Sequence, residues 1–267
     1  MPEQRELPGL AALMVALAEE QLFLLYQPMF DLRRGRITGA EALLRWRHPT
    51  RGVVSPDAFI PFAEETGLIV PIGRWVLRAA CAQGAAWGDA GHPVAVAVNL
   101  SARQFDDPQL RADIVDALRE SGLRPSALTL EIAERTLMRD HRIAARRLAD
   151  LKGIGVRIAI DDVGSGDCSL SYLGRLPIDA LKIDRALISG NTRHESHLVV
   201  RMIVRLGRSL GIQTYAEAIE DRDQLAWLRG ERCDAGQGYL FARPVTPDEI
   251  ALMLIAEPPA MGALCAA

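Results

Sequence analysis

Eight short stretches of this chain are dense in aliphatic and β-branched residues. They are Phe23–Phe30, Ile37–Trp46, Val94–Ser101, Leu128–Glu134, Val156–Asp162, Ala180–Asp184, Gln213–Ile219 and Gly236–Phe241. Apolar runs this short, bounded by polar and turn-forming residues, predict buried strands. Between most of them the apolar positions recur at three- and four-residue steps: Ala58–Glu65, Ile72–Ala90, Asp107–Ser121, Asp140–Lys152, Arg193–Leu210 and Asp221–Arg229. That period predicts helices with one apolar face, and Ser55-Pro56 supplies a cap and a first-turn proline before the first. Strands alternating with helices imply a parallel sheet, and eight strands imply its closure into an α/β, TIM-like (β/α)8 barrel. Only Asp31–Arg36 separates the first two strands, too little for a parallel crossover. The first strand is therefore expected to run antiparallel. The barrel is expected over 9–258, with 1–8 a disordered start or linker and 259–267 a tail.

Polar residues interrupt or end these apolar strands at Glu41, Asn99, Glu131, Asp161, Asp162, Lys182, Glu217 and Gln237. In such a barrel, residues at the C-terminal strand ends line one mouth and carry the chemistry. Five carboxylates and one lysine there leave a formal charge of −4, which needs cations to stay ionised. Carboxylates with an Asn carbonyl form an all-oxygen donor set suited to Mg²⁺ or Mn²⁺, and no His or Cys competes within it. The adjacent pair Asp161-Asp162 can serve two ions at once. Two such ions a few ångströms apart activate water and stabilise a leaving oxygen, so the expected chemistry is metal-assisted phosphodiester hydrolysis.

Composition narrows the setting. An apolar fraction of 49% with 24% charged residues suits a globular domain with a substantial core. The net charge of −3 gives no sign of a broad surface for a nucleic-acid polymer. The four cysteines, Cys81, Cys168, Cys233 and Cys265, have no zinc-site spacing. With no secretory leader and no apolar run long enough for a bilayer, the expectation is a cytoplasmic protein with no membrane segment. Trp46, Trp75, Trp87 and Trp227 are read as packing residues.

At its strand ends the chain resembles the EAL-domain family of cyclic-di-GMP phosphodiesterases. The motifs stand in family order: Glu41-Ala42-Leu43, Val98–Ser101, Leu130–Glu134, Ile160–Gly166, Leu181–Asp184, Ala216–Glu220 and Gly236–Pro244. The resemblance implies hydrolysis of cyclic-di-GMP to linear pGpG with two divalent metals. Glu41, Asn99, Glu131 and Asp161 would hold the first metal, and Asp161, Asp162 and Glu217 the second. Lys182 would contact the attacking water or the phosphate, and Gln237 would orient water on the second metal. Gln27 and Arg45 would grip the dinucleotide, with Leu44 and Pro244 beside them. Glu134 would anchor the Gly164–Ser171 loop, and a homodimer would form through the helix after it, using Leu170, Tyr172, Leu173 and Leu176.

The loop departs from the family pattern. Val163 replaces an aromatic, and Asp167-Cys168 replace Tyr-Ser, which is expected to loosen its packing and leave the enzyme active but slower, or in need of more metal. Ala218 stands where the family prefers glycine. The alternative reading is a receptor that captures the dinucleotide without cutting it.

Overall fold

The computed structural model describes residues 9–164, 173–189 and 193–256. The expectations for 1–8 and 259–267, and those for Ser165, Asp167, Cys168, Ser169, Leu170 and Tyr172, lie outside the described residues. Nine strands form one sheet: β1 Leu22–Asp31, β2 Ile37–His48, β3 Gly52–Val54, β4 Ala95–Leu100, β5 Leu128–Ala133, β6 Arg157–Val163, β7 Ala180–Ile183, β8 Gln213–Ala216 and β9 Ala235–Gly236. Eight of them close a ring in the order β1-β2-β4-β5-β6-β7-β8-β9, because β1 pairs with both β2 and β9. Those two pairings are antiparallel, as the short Asp31–Arg36 link requires, and the others round the ring are parallel. Asp31 closes the link itself, its Oδ1 accepting from the Arg33 and Arg34 amides at 2.8 Å each. β3 was not expected; it is a hairpin on β2, outside the ring.

The helices are α1 Leu10–Ala18, α2 Ile60–Thr66, α3 Ile69–Asp89, α4 Ala102–Asp106, α5 Leu110–Ser121, α6 Glu134–Leu137, α7 His141–Lys152, α8 Arg185–Ser189, α9 Arg193–Leu210, α10 Arg222–Glu231 and α11 Pro247–Ile255. The single helix expected over Asp107–Ser121 starts instead at Leu110, after a separate α4. Asp107 precedes Pro108, whose ring excludes the helical conformation before it, and Asp107 sits extended at ψ 125°. Among the described residues no helix is long and apolar enough to cross a membrane.

Alternation along each strand divides the barrel into two surfaces. Val96, Val98, Leu130, Ile132, Ile158, Ile160, Leu181 and Ile183 face outward into one apolar core beneath the helices. The intervening residues face the barrel axis, and these are the polar groups and a set of alanines. The last strand is far shorter than the expected Gly236–Phe241. A Cβ on Gly238 would lie 2.1 Å from the Ile219 carbonyl, so the backbones cross there and the chain turns out of the sheet. Likewise β8 ends at Ala216 rather than Ile219, and Ala218 takes a left-handed φ of 51°.

Candidate active site

Seven strands in succession each deliver one polar group to the same end of the barrel: Glu41, Asn99, Glu131, Asp161, Lys182, Glu217 and Gln237. Lys182 is the hub. Its Nζ lies 2.6 Å from Glu131 Oε2, 2.7 Å from Glu217 Oε1, 3.4 Å from Glu41 Oε2 and 3.5 Å from Asp161 Oδ1. Glu41 is gripped further, accepting from Asn99 Nδ2 at 2.7 Å and from Gln237 Nε2. The lysine side chain is 2% exposed, so the charges meet out of water, where attraction between them is strong.

This crowding spreads the proton affinities. Burial pushes the Glu41 carboxyl up, but Lys182 and the amides of Gln237 and Asn99 outweigh it and leave Glu41 below the usual carboxylate range. Burial and the neighbouring Glu41 charge hold Glu131 well above that range, against the pull of Lys182. Glu217 is pushed up to about 7 by burial, with Lys182 opposing and Asp161 and Glu41 adding. Burial opposes a charge on Lys182, yet Asp161, Glu131, Glu217 and Glu41 together keep it firmly protonated. Such a spread among close carboxylates is typical of sites built for chemistry or for cations.

The next shell rests on strained backbone. Asp162 adopts a left-handed φ of 58°, uncommon outside glycine, and lies 3.5 Å from Arg135. Its carboxyl is raised by burial and by the charges of Asp161 and Asp184. Glu134 Oε2 accepts from the Gly164 amide at 3.3 Å. Val163 is fully buried.

Two buried acceptors, Glu134 Oε1 and Gln237 Oε1, have no hydrogen-bond partner among the described residues. No three of the described acids stand ready-made as a metal nest; they are gathered round an ammonium instead. The donor set nonetheless fits hard divalent ions: oxygens only, more negative than one lysine neutralises, with an unused amide oxygen at Gln237.

Beside this floor a cleft of about 510 Å³ opens between the ends of β1, β8 and β9, lined by Gln27, Glu217, Gln237 and Tyr239. Gln27 donates to the Ala242 carbonyl at 3.2 Å and so ties β1 to the segment that includes Pro244. Arg45 is half-buried and donates to the Leu44 carbonyl at 2.7 Å, while the Leu44 side chain lies in the apolar core. Arg185, Ser189 and Tyr239 line the cleft but escaped the sequence reading. The signal for Arg185 was its place just past β7, three residues after Lys182. Tyr239 is 51% exposed with the Arg243 guanidinium 4.2 Å from its ring centre. Leu173 and Leu176, expected at a dimer surface, are buried against the barrel instead.

The sequence profile of the EAL domain matches residues 10–244. The bifunctional diguanylate cyclase/cyclic di-GMP phosphodiesterase MucR of Pseudomonas aeruginosa is 44% identical over 250 residues, 92% of this chain and 36% of that protein. Cyclic di-GMP phosphodiesterase PA2567 of the same organism is 39% identical over 252 residues, 93% of this chain and 43% of that protein. This chain thus spans well under half the length of either. A solved structure of the PaMucR phosphodiesterase in complex with c-di-GMP superposes with a TM-score of 0.87, at 44% identity, over 90% of this chain and 98% of that one.

Proposed function

The chain belongs to the EAL-domain family, and from that premise we propose that it hydrolyses cyclic-di-GMP to linear pGpG with the help of two divalent metal ions, Mg²⁺ or Mn²⁺. The observation that carries this reading is the convergence of one polar group from each of seven strands on a single buried point. Glu41, Asn99, Glu131 and Asp161 would hold one ion, and Asp161, Asp162 and Glu217 the other. Bound there, the ions would lower the pKa of a water and stabilise the leaving oxygen.

The chain's own residues do the rest. Lys182 gives up its four-fold contact with the acids and turns its ammonium toward the phosphate, where charge develops. Gln237 keeps Glu41 in place through its amide nitrogen and has its oxygen free to orient water. Gln27 shapes one wall of the cleft, and Arg45 offers a phosphate a forked donor, backed by Leu44 from the core. Pro244 holds the far lip, next to the Val245–Tyr26 bridge. The exposed Tyr239 ring, braced by Arg243, presents a face on which a guanine can stack.

The protein acts as a homodimer in this reading. With Leu173 and Leu176 buried, the apolar surface available is on α9, where Leu198, Val199 and Met202 are 46%, 36% and 56% exposed. That helix packs over Gly164, whose nearest neighbours include Val199 and Ile203, so the partner copy would sit behind the metal-site loop. The test of the whole reading is turnover of cyclic-di-GMP with Mn²⁺ or Mg²⁺, against the same protein in excess chelator or in Ca²⁺. Activity in the first pair only supports it; full turnover in chelator sinks it.

A further inference from the structure

Below the acidic mouth the barrel is hollow. Interiors of such barrels are normally filled with branched aliphatic side chains. Here four of the lining positions are alanines, Ala95, Ala159, Ala180 and Ala235, set among the larger Met29, Thr129 and Tyr215. They leave an axial cavity of about 360 Å³, open at the end opposite the catalytic mouth and lined from all eight ring strands. That volume falls in the range of small-ligand sites. Its roof is Glu131 and Lys182, the floor of the site above.

Its entrance is cationic. Arg33, Arg34 and Arg157 stand round it with Asp31 and Asp234. Both acids are committed elsewhere. Asp31 pairs with Arg34 at 3.3 Å, and Asp234 Oδ2 accepts from the Thr214 amide and hydroxyl at 2.9 and 3.0 Å. Lys182 and Glu131 pair with one another overhead at 2.6 Å. Arg33 and Arg157 have no carboxylate partner among the described residues, and Arg157 donates only to the side-chain oxygen of Gln213. The Tyr215 hydroxyl, on the cavity wall, reaches Gln213 Oε1 only at 3.5 Å, longer than an ordinary hydroxyl bond. Two guanidinium groups and a phenol with bonding capacity to spare surround a bore that side chains do not fill.

We propose that this lower mouth is a second binding site, which takes a small molecule through paired anionic oxygens, as in a phosphate or a carboxylate. The guanidinium forks of Arg33 and Arg157 match that geometry. Tyr215 donates from the wall, and the alanines admit the body of the ligand.

The experiment is calorimetric titration of the metal-free full chain, dialysed free of chelator, with pyrophosphate in one arm and citrate in the other. One saturable site with Kd in the millimolar range or tighter is expected in at least one arm. A response to pyrophosphate alone assigns a phosphate ligand, and one to citrate alone a carboxylate ligand. The pair Arg33→Gln/Arg157→Gln should weaken binding at least about tenfold, close to 1.4 kcal/mol. Ala180→Leu, which plugs the bore and leaves the charges alone, should abolish it in a chain that still unfolds cooperatively. Arg45→Ala, at the upper mouth, should bind as the parent does. No saturable binding in either arm, parental binding by the arginine pair or by folded Ala180→Leu, or loss of binding in Arg45→Ala would each overturn the proposal.

Discussion

Lys182 Nζ and Glu131 Oε2 lie 2.6 Å apart inside the barrel, their side chains 2% and 1% exposed. A buried ammonium so placed stands where a metal cation is proposed to act, and it holds the mouth together in the metal-free chain. Removing one partner of such a pair leaves the other charged and dry, at a cost of about 3–5 kcal/mol. Lys182→Met should therefore destabilise the metal-free protein by about 3 kcal/mol, the low end because Glu131 already favours its proton. Mg²⁺ should restore most of the loss. Denaturant unfolding with and without metal checks this; equal stability in both conditions argues against the cation role.

Glu217 makes metal binding pH-dependent. Its carboxyl is pushed up to about 7, so in mildly acidic solution a metal must displace its proton. Metal affinity should rise from about pH 6 to about pH 8 and then flatten as far as Glu217 is concerned. Stability of the metal-free protein runs the other way. A raised acid binds its proton more tightly folded than unfolded, so stability falls as pH climbs from 4.5 to about 7. Glu217→Gln should remove this residue's share of both trends, read by calorimetry and by thermal unfolding across pH. Unchanged profiles in that variant would assign the titration elsewhere.

Much of this was legible because a barrel strand writes its two faces as alternation. In Arg157–Val163 the outward Ile158 and Ile160 announce the core, and Asp161 breaks the pattern where the strand reaches the mouth. What the sequence hid was mostly backbone. Asp161 and Asp162 look equivalent on paper, yet Asp162 takes a left-handed φ of 58° and pairs with Arg135, while Asp161 reaches Lys182. Gln237 reads as mid-strand, but Gly238 crosses Ile219 and ends β9 one residue before it. Leu10–Ala18 is apolar nearly all round, with Leu13 and Ala16 buried and Met14 exposed, so it shows no helical stripe to find. The alanines facing the axis look like ordinary strand filler until all eight strands are closed round them.

Glu134 accepts from the Gly164 amide, and in the proposed reading it positions the loop beside the metals. Glu134→Ala strips that partly buried donor of its acceptor and should cost about 1 kcal/mol of stability. It should also raise the metal concentration needed for half-maximal rate, since Gly164 follows Asp161 and Asp162 closely. Glu134→Gln keeps an acceptor oxygen and should recover most of both losses. If Glu134→Ala lowers stability but leaves the metal requirement alone, the residue only supports the fold.

Met202 is the most exposed apolar residue of α9. Met202→Glu places a charge in the proposed dimer surface, which is unfavourable to bury without a partner. Sedimentation should show a dimer for the parent and a monomer for the variant. A monomeric parent would remove the dimer from this account.

Glu41 is held by three partners at once, Asn99, Gln237 and Lys182. Glu41→Ala should preserve the barrel and lower turnover on the order of 10³-fold, the scale of several kcal/mol of lost metal assistance. Far-ultraviolet circular dichroism and initial rates on matched samples decide it. A rate within a few-fold of the parent would place Glu41 outside the chemistry.

Chromatographic identification of the product after incubation with cyclic-di-GMP and Mn²⁺ tests the central claim most directly. The account expects linear pGpG to accumulate as the cyclic dinucleotide disappears, and none to form in Glu41→Ala. Cyclic-di-GMP that is bound by the protein but recovered intact would contradict it, and would make this barrel a receptor rather than an enzyme.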